Sequence, residues 1–204
     1  MLRLAPLCLE DRERVSALLV ATGAFSGEEI GVALELFDAC YPGRATCHPE
    51  PFASLEGGLR ERSAGHTEPC HPERSEGSAF SLPDYEFVGA YDDRDLLLGY
   101  ACFGPTPATD GTYDLYWLAV DPAAQGRGAG RALVRWVERE LTARGARLLV
   151  VETSSRTDYA HTREFYARGG YVEAARVRDF YAPADDRIIL TTRLTTPQGG
   201  VATR

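Results

Sequence analysis

A glycine-rich stretch in the second half of the chain has the residue types and spacing of a phosphate site. Gln125 to Gly130 follows a run of strand-forming residues and precedes an arginine-rich segment whose apolar residues recur at helical spacing. Glycine allows tight turns and close approach of a ligand, and the free N–H groups of a first helical turn favour an anion. The stretch predicts phosphate binding at a helix N-terminus. The alternative is a glycine-rich connector without a ligand.

Spacing separates three kinds of phosphate loop. A nucleoside-triphosphatase loop ends in Gly-Lys-Ser/Thr, and this chain contains no lysine. A dinucleotide fingerprint needs glycine or alanine where this chain has Arg131. The pattern that fits is Gln/Arg-x-x-Gly-x-Gly/Ala, met by Gln125, Gly128 and Gly130. It closely resembles the acetyl-CoA signature of the GNAT N-acetyltransferase superfamily, in which successive backbone amides cradle the pyrophosphate of the coenzyme. The resemblance implies further coenzyme contacts from Gly126, Arg127, Ala129 and Arg131.

Composition narrows the range of partners. A length of 204 residues suits one domain, and the net charge of −8 argues against a nucleic-acid surface and weakly favours a cationic substrate. Residues 1–20 do not resemble a signal peptide, and no run of 18 apolar residues predicts a membrane span. Five cysteines without framework spacing indicate reduced thiols and a cytoplasmic location. A homodimer is one assembly left open.

The predicted elements follow the order β-α-α-β-β-β-α-β-α-β-β, which also matches the GNAT fold. This resemblance covers a single domain at residues 1–194, apart from an insertion at 43–83, and leaves residues 195–204 as a C-terminal tail. It implies an α/β fold of mixed α+β type. We expect a central mixed twisted sheet of six to seven strands, flanked by about four helices and splayed between the strands 113–120 and 147–153.

The segment at 43–83 is rich in proline and glycine and carries a short repeat. Cys47-His48-Pro49-Glu50 recurs as Cys70-His71-Pro72-Glu73. One interpretation is a zinc site of two cysteines and two histidines, but adjacent Cys-His pairs lack the usual ligand spacing. We therefore favour a tolerated surface insertion, since lengthening a surface loop costs little entropy, and we expect no metal.

The strand before the glycine stretch is expected to carry a catalytic carboxylate. Alternation with a period of two places Leu115, Trp117 and Ala119 on one face, and Asp114 and Tyr116 on the other. In several GNAT enzymes, to which this segment is similar, the position of Asp114 holds the carboxylate that deprotonates the amine. Aspartate is shorter than glutamate by one methylene, which favours a water relay. The alternative is that Asp114 only orients Tyr116 or a substrate ammonium.

The same resemblance implies contacts with the pantetheine arm of the coenzyme. The backbone of Leu118, Ala119 and Val120 is expected to pair with that arm like an added strand. Many relatives carry an asparagine after the following strand that also holds the arm. This chain has none there, so Thr153 or Ser154 is the expected substitute, with Ser154 taken as the contact.

A second motif indicates the acid that protonates the leaving thiolate. Phe165-Tyr166-Ala167-Arg168-Gly169-Gly170-Tyr171 resembles the GNAT pattern F-Y-x-x-x-G-F/Y, whose first tyrosine lies near the coenzyme sulfur. The resemblance therefore assigns this role to Tyr166, since a phenol of pKa about 10 holds its proton at rest. Phe165 is expected either beside the coenzyme or in the core.

The residues that bind the acceptor are the least determined. Polar or aromatic side chains fall at strand ends or loops near the predicted splay, namely Tyr116, Glu152, Tyr159, Asp179 and Tyr181. Such a lining suits a small cationic amine. The leading hypothesis is an acetyl-CoA-dependent N-acetyltransferase of a small-molecule amine, such as an amino acid, acting by direct attack in a ternary complex. The alternatives are a protein N-terminal or side-chain acetyltransferase, and a catalytically idle coenzyme-binding module.

Overall fold

The computed structural model describes residues 2–41 and 85–194. Within these ranges the chain forms seven strands and four α-helices. In chain order they are β1 (Arg3–Pro6), α1 (Arg12–Thr22), α2 (Gly27–Cys40), β2 (Glu86–Tyr91), β3 (Leu97–Pro105), β4 (Thr112–Val120), α3 (Ala129–Ala143), β5 (Leu148–Ser154), α4 (Ala160–Arg168), β6 (Val172–Ala182) and β7 (Asp185–Arg193). The predicted insertion with its Cys-His pairs, and the predicted tail, lie outside the described residues. No helix in the two ranges is long and apolar enough to cross a membrane.

All seven strands form one sheet in the order β1-β2-β3-β4-β5-β7-β6. Neighbouring strands run antiparallel except β4 and β5, which are parallel. That parallel pairing spans Thr112 to Leu115 of β4 and ends where Leu115 meets Val151. Beyond it, residues 116–120 and 152–154 of the two strands diverge, and we call this opening the strand gap. The predicted mixed sheet with its splay is therefore confirmed.

Both faces of the sheet are covered by helices. On one face, α3 buries the apolar stripe of Leu133, Val137 and Leu141 completely. On the other face, α1 and α2 cover a second core that includes Phe37 and Tyr100. Burying one large apolar side chain stabilises a fold by roughly 1.5–3 kcal/mol, so these two cores hold the strands on either side of the gap in place.

The start of α2 is fixed by a capping box. The Ser26 hydroxyl accepts a hydrogen bond from the N–H of Glu29 at 3.2 Å. The Glu29 carboxylate accepts one from the N–H of Ser26 at 2.7 Å. These reciprocal bonds satisfy donors that a helix end leaves free. They also fix Glu29 at the end of α2 that lies over the sheet.

A β-bulge in β4 changes the predicted alternation of side chains. Cys102 of β3 pairs with Trp117, whereas the next residue, Phe103, pairs with Leu115, so Tyr116 is the extra residue. Leu115 consequently packs in the α3-side core, while Trp117 packs on the opposite side, against α1 and α2. The prediction that Leu115 and Trp117 share a face is therefore wrong, because one inserted residue shifts every later side chain to the other face.

The last two strands are longer than the sequence indicates. The sequence pattern predicts strands from Tyr171 to Val177 and from Ile188 to Leu194, but β6 and β7 form one hairpin that continues to Ala182 and Asp185. The intervening residues include a proline and aspartates, which are typical of loops. Asp179 and Tyr181 therefore belong to a hairpin strand at the edge of the sheet, not to a loop.

Candidate active site

The glycine loop, residues 125–130, connects β4 to α3. Before it, Asp121 caps a short 3-10 turn by accepting a hydrogen bond from the N–H of Ala123 at 2.7 Å. Gly126 and Gly128 then adopt φ angles of +73° and +88°, which residues with a side chain rarely adopt. A Cβ placed on either glycine would meet no described atom within 4 Å. The loop therefore needs glycine for its conformation, and it faces open space.

The first turn of α3 has no capping side chain. Its N-cap residue is Gly128, which has no polar group to offer. The N–H groups of Ala129, Gly130 and Arg131 precede the first intrahelical hydrogen bonds and so have no acceptor within the helix. Together with the helix dipole, these donors form a site for an anion. The structure thus builds the geometry of a phosphate site where the sequence predicts one.

The other predicted coenzyme residues gather around this helix start. A Cβ on Gly130 would lie 3.4 Å from Val120 and 3.7 Å from the ring of Phe165, so the end of β4 and α4 meet there. The Gln125 side chain turns back towards β4, with its Nε2 atom 3.5 Å from the carbonyl oxygen of Val120. Arg131 lines a small cavity of about 140 Å³ together with Phe165 and Tyr166.

The strand gap adds an unpaired backbone edge to the glycine loop. Leu118, Ala119 and Val120 pair with β3 on one side. On the β5 side, residues 116–120 have no strand partner within the described ranges. Successive residues of a strand direct their N–H and C=O groups to alternate sides, so part of this backbone faces the gap. An extended ligand arm can therefore add to β4 as a further strand.

A larger cavity of about 620 Å³ opens at the strand gap on the face covered by α2, and we call it the α2-side cavity. Side chains from five separate parts of the chain line it, so it depends on the whole fold. The start of α2 contributes Phe25 and Glu29, β4 contributes Asp114 to Trp117, β5 contributes Glu152 to Ser154, the following turn contributes Arg156 and Tyr159, and the hairpin contributes Tyr181, Asp185 and Arg187.

Acidic groups predominate in the α2-side cavity. Within the described ranges, Glu29, Asp114 and Asp185 form no ion pair, whereas Arg156 is paired with Asp158 at 2.6 Å. Asp114 is half-buried and accepts a hydrogen bond from the Thr106 hydroxyl at 2.5 Å. Burial, and then the negative charge of Asp114, raises the pKa of Tyr116 to about 12. The cavity therefore favours a cation near Asp114.

The Glu152 carboxylate is already occupied by protein groups. One oxygen accepts a hydrogen bond from the Tyr181 hydroxyl at 2.5 Å, and the other forms an ion pair with Arg187. Burial and this contact with Glu152 raise the pKa of Tyr181. Tyr159 stands across the cavity, where burial and the charge of Glu29 raise its pKa. Glu152 thus positions Arg187 and Tyr181, with each of its oxygens already in one contact.

Ser154 and Thr153 differ in their availability at the end of β5. The Ser154 hydroxyl donates to Asp185 and accepts from the N–H of Arg156 at 3.0 Å, so it is engaged within the protein. Thr153 lies on the opposite face, which it shares with Val151. Its hydroxyl is buried and has no hydrogen-bond partner among the described residues. Of the two residues that the sequence suggests, Thr153 is therefore the one with a free group.

Tyr166 is buried on the α3 side of the sheet and does not line the α2-side cavity. Its ring packs edge-on against Phe165 and Tyr171, with centroids 5.1 Å and 5.2 Å away. Burial alone raises the pKa of its phenol. No described residue hydrogen-bonds to its hydroxyl, whereas the Tyr171 hydroxyl donates to Glu138 at 3.0 Å. Tyr166 therefore keeps a protonated hydroxyl without a protein partner.

Most of the predicted acceptor residues come together, but Asp179 does not join them. Tyr116, Glu152, Tyr159 and Tyr181 all line the α2-side cavity. Asp179 instead accepts a hydrogen bond from the N–H of Ala184 at 2.7 Å within the hairpin. The sequence reasoning missed seven lining residues, and their spacing carries no signal for this role. They are Phe25, Glu29, Leu115, Trp117, Arg156, Asp185 and Arg187.

Comparison with known proteins identifies the family. The model of the Acetyltransferase (GNAT) family matches residues 43–171. A crystal structure of a candidate GNAT acetyltransferase from Desulfovibrio desulfuricans is 35% identical to this chain, with a TM-score of 0.73. The match covers 96% of this chain and 100% of that one. The chain therefore belongs to the GNAT acetyltransferase family.

More distant structures share the fold. The ribosomal-protein-S18-alanine N-acetyltransferase from Escherichia coli is 18% identical, with a TM-score of 0.63 over 100% of this chain and 99% of that one. An aminoglycoside 6'-N-acetyltransferase complexed with coenzyme A is 14% identical, with a TM-score of 0.61 over 95% and 98% of the two chains. At these identities the likeness concerns the fold alone. No curated protein matches the chain by sequence.

Proposed function

We propose that this protein transfers the acetyl group of acetyl-CoA to the primary amine of a small molecule by direct attack. The observation that carries the proposal is the strand gap, because it joins an uncapped helix start on one side to an acidic cavity on the other. A phosphate-bearing cosubstrate and an amine can meet there without a covalent enzyme intermediate.

The residues at the gap fit the coenzyme. The open faces of Gly126 and Gly128 and the free N–H groups at the start of α3 suit its pyrophosphate. The unpaired edge of β4 and the unpartnered Thr153 hydroxyl suit its pantetheine arm. When bound, acetyl-CoA supplies an acetyl group activated as a thioester. In the overall transfer, the ammonium form of the amine first loses one proton. The neutral amine nitrogen then gains the acetyl carbon, that carbon loses its bond to sulfur, and a second proton passes from nitrogen to sulfur.

Two side chains are proposed to handle these two protons. Asp114 has no ion-pair partner among the described residues and faces the cavity, so it can take a proton from the ammonium form of the amine, directly or through water. Tyr166 is the proposed donor to sulfur, because its hydroxyl has no protein partner and burial keeps it protonated. The two groups lie on opposite faces of the sheet.

The size of the α2-side cavity supports a small acceptor. Its volume of about 620 Å³ is within the range of roughly 300–1,000 Å³ that is usual for small-molecule sites. Phe25 and Glu29 at the start of α2 line it together with residues of the β6–β7 hairpin.

A thiol-release assay with acetyl-CoA and a panel of amines and peptides tests the proposal. We expect turnover with small amines and little with peptides. Turnover with peptides alone would favour the protein acetyltransferase, and coenzyme binding without any turnover would favour the idle module.

Asp114→Asn tests the role of the carboxylate. The variant keeps the shape of the side chain and the contact with Thr106 but cannot accept a proton. We expect kcat to fall by roughly 10²–10⁴ near neutral pH, while coenzyme affinity measured by calorimetry is unchanged. A rise in KM with an unchanged kcat would show instead that Asp114 only holds the ammonium group.

A further inference from the structure

The unpaired carboxylates of the α2-side cavity lie at two separate ends of it. Asp114 marks one end, level with Val150 of β5 in the parallel pairing. Asp185 marks the other end, where its Oδ1 atom accepts a hydrogen bond from the Ser154 hydroxyl. Ser154 follows Val150 by four residues on the same face of β5. A strand rises about 3.3 Å per residue, so these two ends are about 13 Å apart along the backbone of β5.

Asp185 is buried but keeps one carboxylate oxygen free for a ligand. Only 8% of the residue is exposed. Its Oδ1 atom is bound to Ser154, whereas its Oδ2 atom has no hydrogen-bond or ion-pair partner among the described residues. The Oδ2 atom is also not sealed from solvent, unlike the partnerless polar atoms of Trp117, Thr153 and Arg187. Because Asp185 lines the α2-side cavity, this oxygen is open to a molecule bound there.

Glu29 adds a second unpaired carboxylate at the Asp185 end. It lines the cavity from the start of α2, and its Oε2 atom accepts a hydrogen bond from the N–H of Ser26 at 2.7 Å. Tyr159 is close to both carboxylates, because burial and then the negative charges of Glu29, Asp158 and Asp185 raise the pKa of its phenol. Carboxylates beside an aromatic ring are suitable surroundings for an ammonium group.

The two arginines that line the cavity are both neutralised by other partners. Arg156 is paired with Asp158 at 2.6 Å, and Arg187 is paired with Glu152. Glu152 lies between Val150 and Ser154 on the cavity face of β5, so this second pair is located between the two ends. The cavity therefore has negative charge at each end and a neutral wall between them.

This distribution of charge makes two demands on a ligand. A buried carboxylate costs free energy unless a cation or hydrogen-bond donors contact it. A molecule with one ammonium group compensates the charge at one end only. A molecule with two ammonium groups compensates both ends, and its uncharged linker follows the neutral wall. Since each nitrogen lies about 2.8 Å inside the oxygen that it contacts, the two nitrogens are expected roughly 7–10 Å apart.

We propose that the acceptor is a diamine, whose reacting amine faces Asp114 while its second ammonium group binds Asp185 and Glu29. The second group keeps its protons and is not acetylated. This inference rests on the proposed function for the transfer to the first amine, but it makes its own claim about binding. It narrows the acceptor from amines in general to molecules with two cationic groups at a fixed separation.

A series of linear diamines, from diaminopropane to diaminooctane, tests the claim against monoamines of equal chain length. Binding is measured by calorimetry to the protein with coenzyme A present, and transfer is measured by thiol release with acetyl-CoA. We expect the best diamine to bind at least about 10-fold more tightly than its monoamine, as for a further hydrogen bond between charged groups. The optimum should lie between diaminopentane and diaminoheptane.

The outcomes of this series separate the inference from the proposed function. Equal binding of diamines and monoamines would overturn the inference, and so would a preference that is the same at every chain length, which a general attraction to the acidic protein would give. Thiol release from monoamines as efficient as from diamines would overturn the inference and leave the proposed function in place. Diamine binding with the expected optimum but without thiol release would support the inference and overturn the proposed function.

Two variants remove charge from the Asp185 end. Asp185→Asn keeps an oxygen for Ser154, and we expect the ratio of diamine to monoamine affinity to fall by about 10-fold. Glu29→Gln keeps its capping bond and should lower the ratio by a smaller factor. Asp186→Asn is the matched control, because Asp186 does not line the cavity and is paired with Arg176 at 3.0 Å. It should keep the parental ratio. An unchanged ratio in both of the first two variants, each folded by circular dichroism, would overturn the inference.

Discussion

The glycine loop and the α2-side cavity lie on either side of the strand gap, and they are built in different ways. The glycine loop offers backbone N–H groups, all of which come from residues 125–131. The α2-side cavity offers side chains that several separate parts of the chain bring together. A backbone site depends on conformation, so it tolerates side-chain changes that keep φ and ψ. A site made of side chains depends on which residues are present, so substitutions can change its ligand without changing the fold.

From this difference we expect the glycine loop and the α2-side cavity to have separate functions. The backbone site is proposed to bind the coenzyme, and Gly126 and Gly128 are needed there for their positive φ angles. The cavity is proposed to bind the acceptor, through the charge of Asp114. Substitutions in the first region should therefore change coenzyme affinity, and substitutions in the second should change the acceptor that is used.

Tyr166→Phe should have the largest effect on activity, because Tyr166 is the proposed proton donor in the reaction that involves both regions. The ring and its packing against Phe165 and Tyr171 remain, and no hydrogen bond to a described residue is lost. Thermal stability should therefore not fall. If Tyr166 protonates the thiolate, kcat should drop by roughly 10²–10⁴ with coenzyme affinity retained.

Two controls accompany that measurement. Because burial raises the pKa of Tyr166, the parental enzyme should show no loss of activity between about pH 8 and 10 from ionisation of this phenol. The protonated form persists above the ordinary phenol pKa and is lost only at still higher pH. Parental turnover in Tyr166→Phe would show that Tyr166 is a core residue only, and that water or the substrate supplies the proton.

Gly128→Val should weaken coenzyme binding without altering the cavity. Valine is strained at a φ angle of +88°, and its side chain would lie where the phosphate is proposed to bind. We expect the Kd for coenzyme A to rise by roughly 10–100-fold, which corresponds to about 1.4–2.8 kcal/mol of lost contacts with the phosphate. Gly145→Val is the matched control. It has a φ angle of +80° and open surroundings at the other end of α3, so it should lose similar stability and keep its coenzyme affinity.

The same contrast between a backbone site and a side-chain site explains which parts of the molecule the sequence predicts. The glycine loop depends on residues that are adjacent in the chain, so the spacing of Gln125, Gly128 and Gly130 predicts it before any fold is known. The strands are also predicted, because apolar patterns mark them, and the resemblance to the GNAT family implies the splay of the sheet. Arg187 and Asp185 cannot be found this way, since they reach the cavity only through the pairing of β7 with β5.

The bulge in β4 is a second limit on prediction. One extra residue at Tyr116 leaves the apolar character of the strand intact, so the alternation pattern gives no warning of it. Its consequence is large, because Trp117 moves from the expected face to the cavity wall.

The length of the β6–β7 hairpin is a third limit on prediction. The proline and aspartates at its turn indicate a loop, whereas backbone pairing continues to Ala182 and Asp185.

Thr106→Val should have a moderate effect, confined to the cavity side. Its hydroxyl donates to Asp114 at 2.5 Å but does not line the cavity, so it is a positioning residue. Without this bond, Asp114 samples other orientations, and we expect kcat/KM to fall by about 10-fold, the equivalent of one good hydrogen bond. Thr106→Ser keeps the hydroxyl and should restore the parental value. A loss in both variants would point to packing, and coenzyme affinity should change in neither.

Asp179→Ala should have the smallest effect on activity, and it defines where the side-chain site ends. Asp179 has a φ angle of +50°, and its carboxylate accepts the N–H of Ala184 inside the hairpin. Alanine loses that bond and is strained at this φ, so unfolding by denaturant should show a loss of about 1–2 kcal/mol. Asp179→Asn tolerates the left-handed conformation, keeps an acceptor oxygen and should remain near parental stability.

Since Asp179 does not line the α2-side cavity, KM for the acceptor should stay within about twofold of the parental value in both variants. If both variants keep their stability but raise this KM by about tenfold, Asp179 binds the acceptor as the sequence suggests, and the hairpin must bring it to the cavity when the acceptor binds.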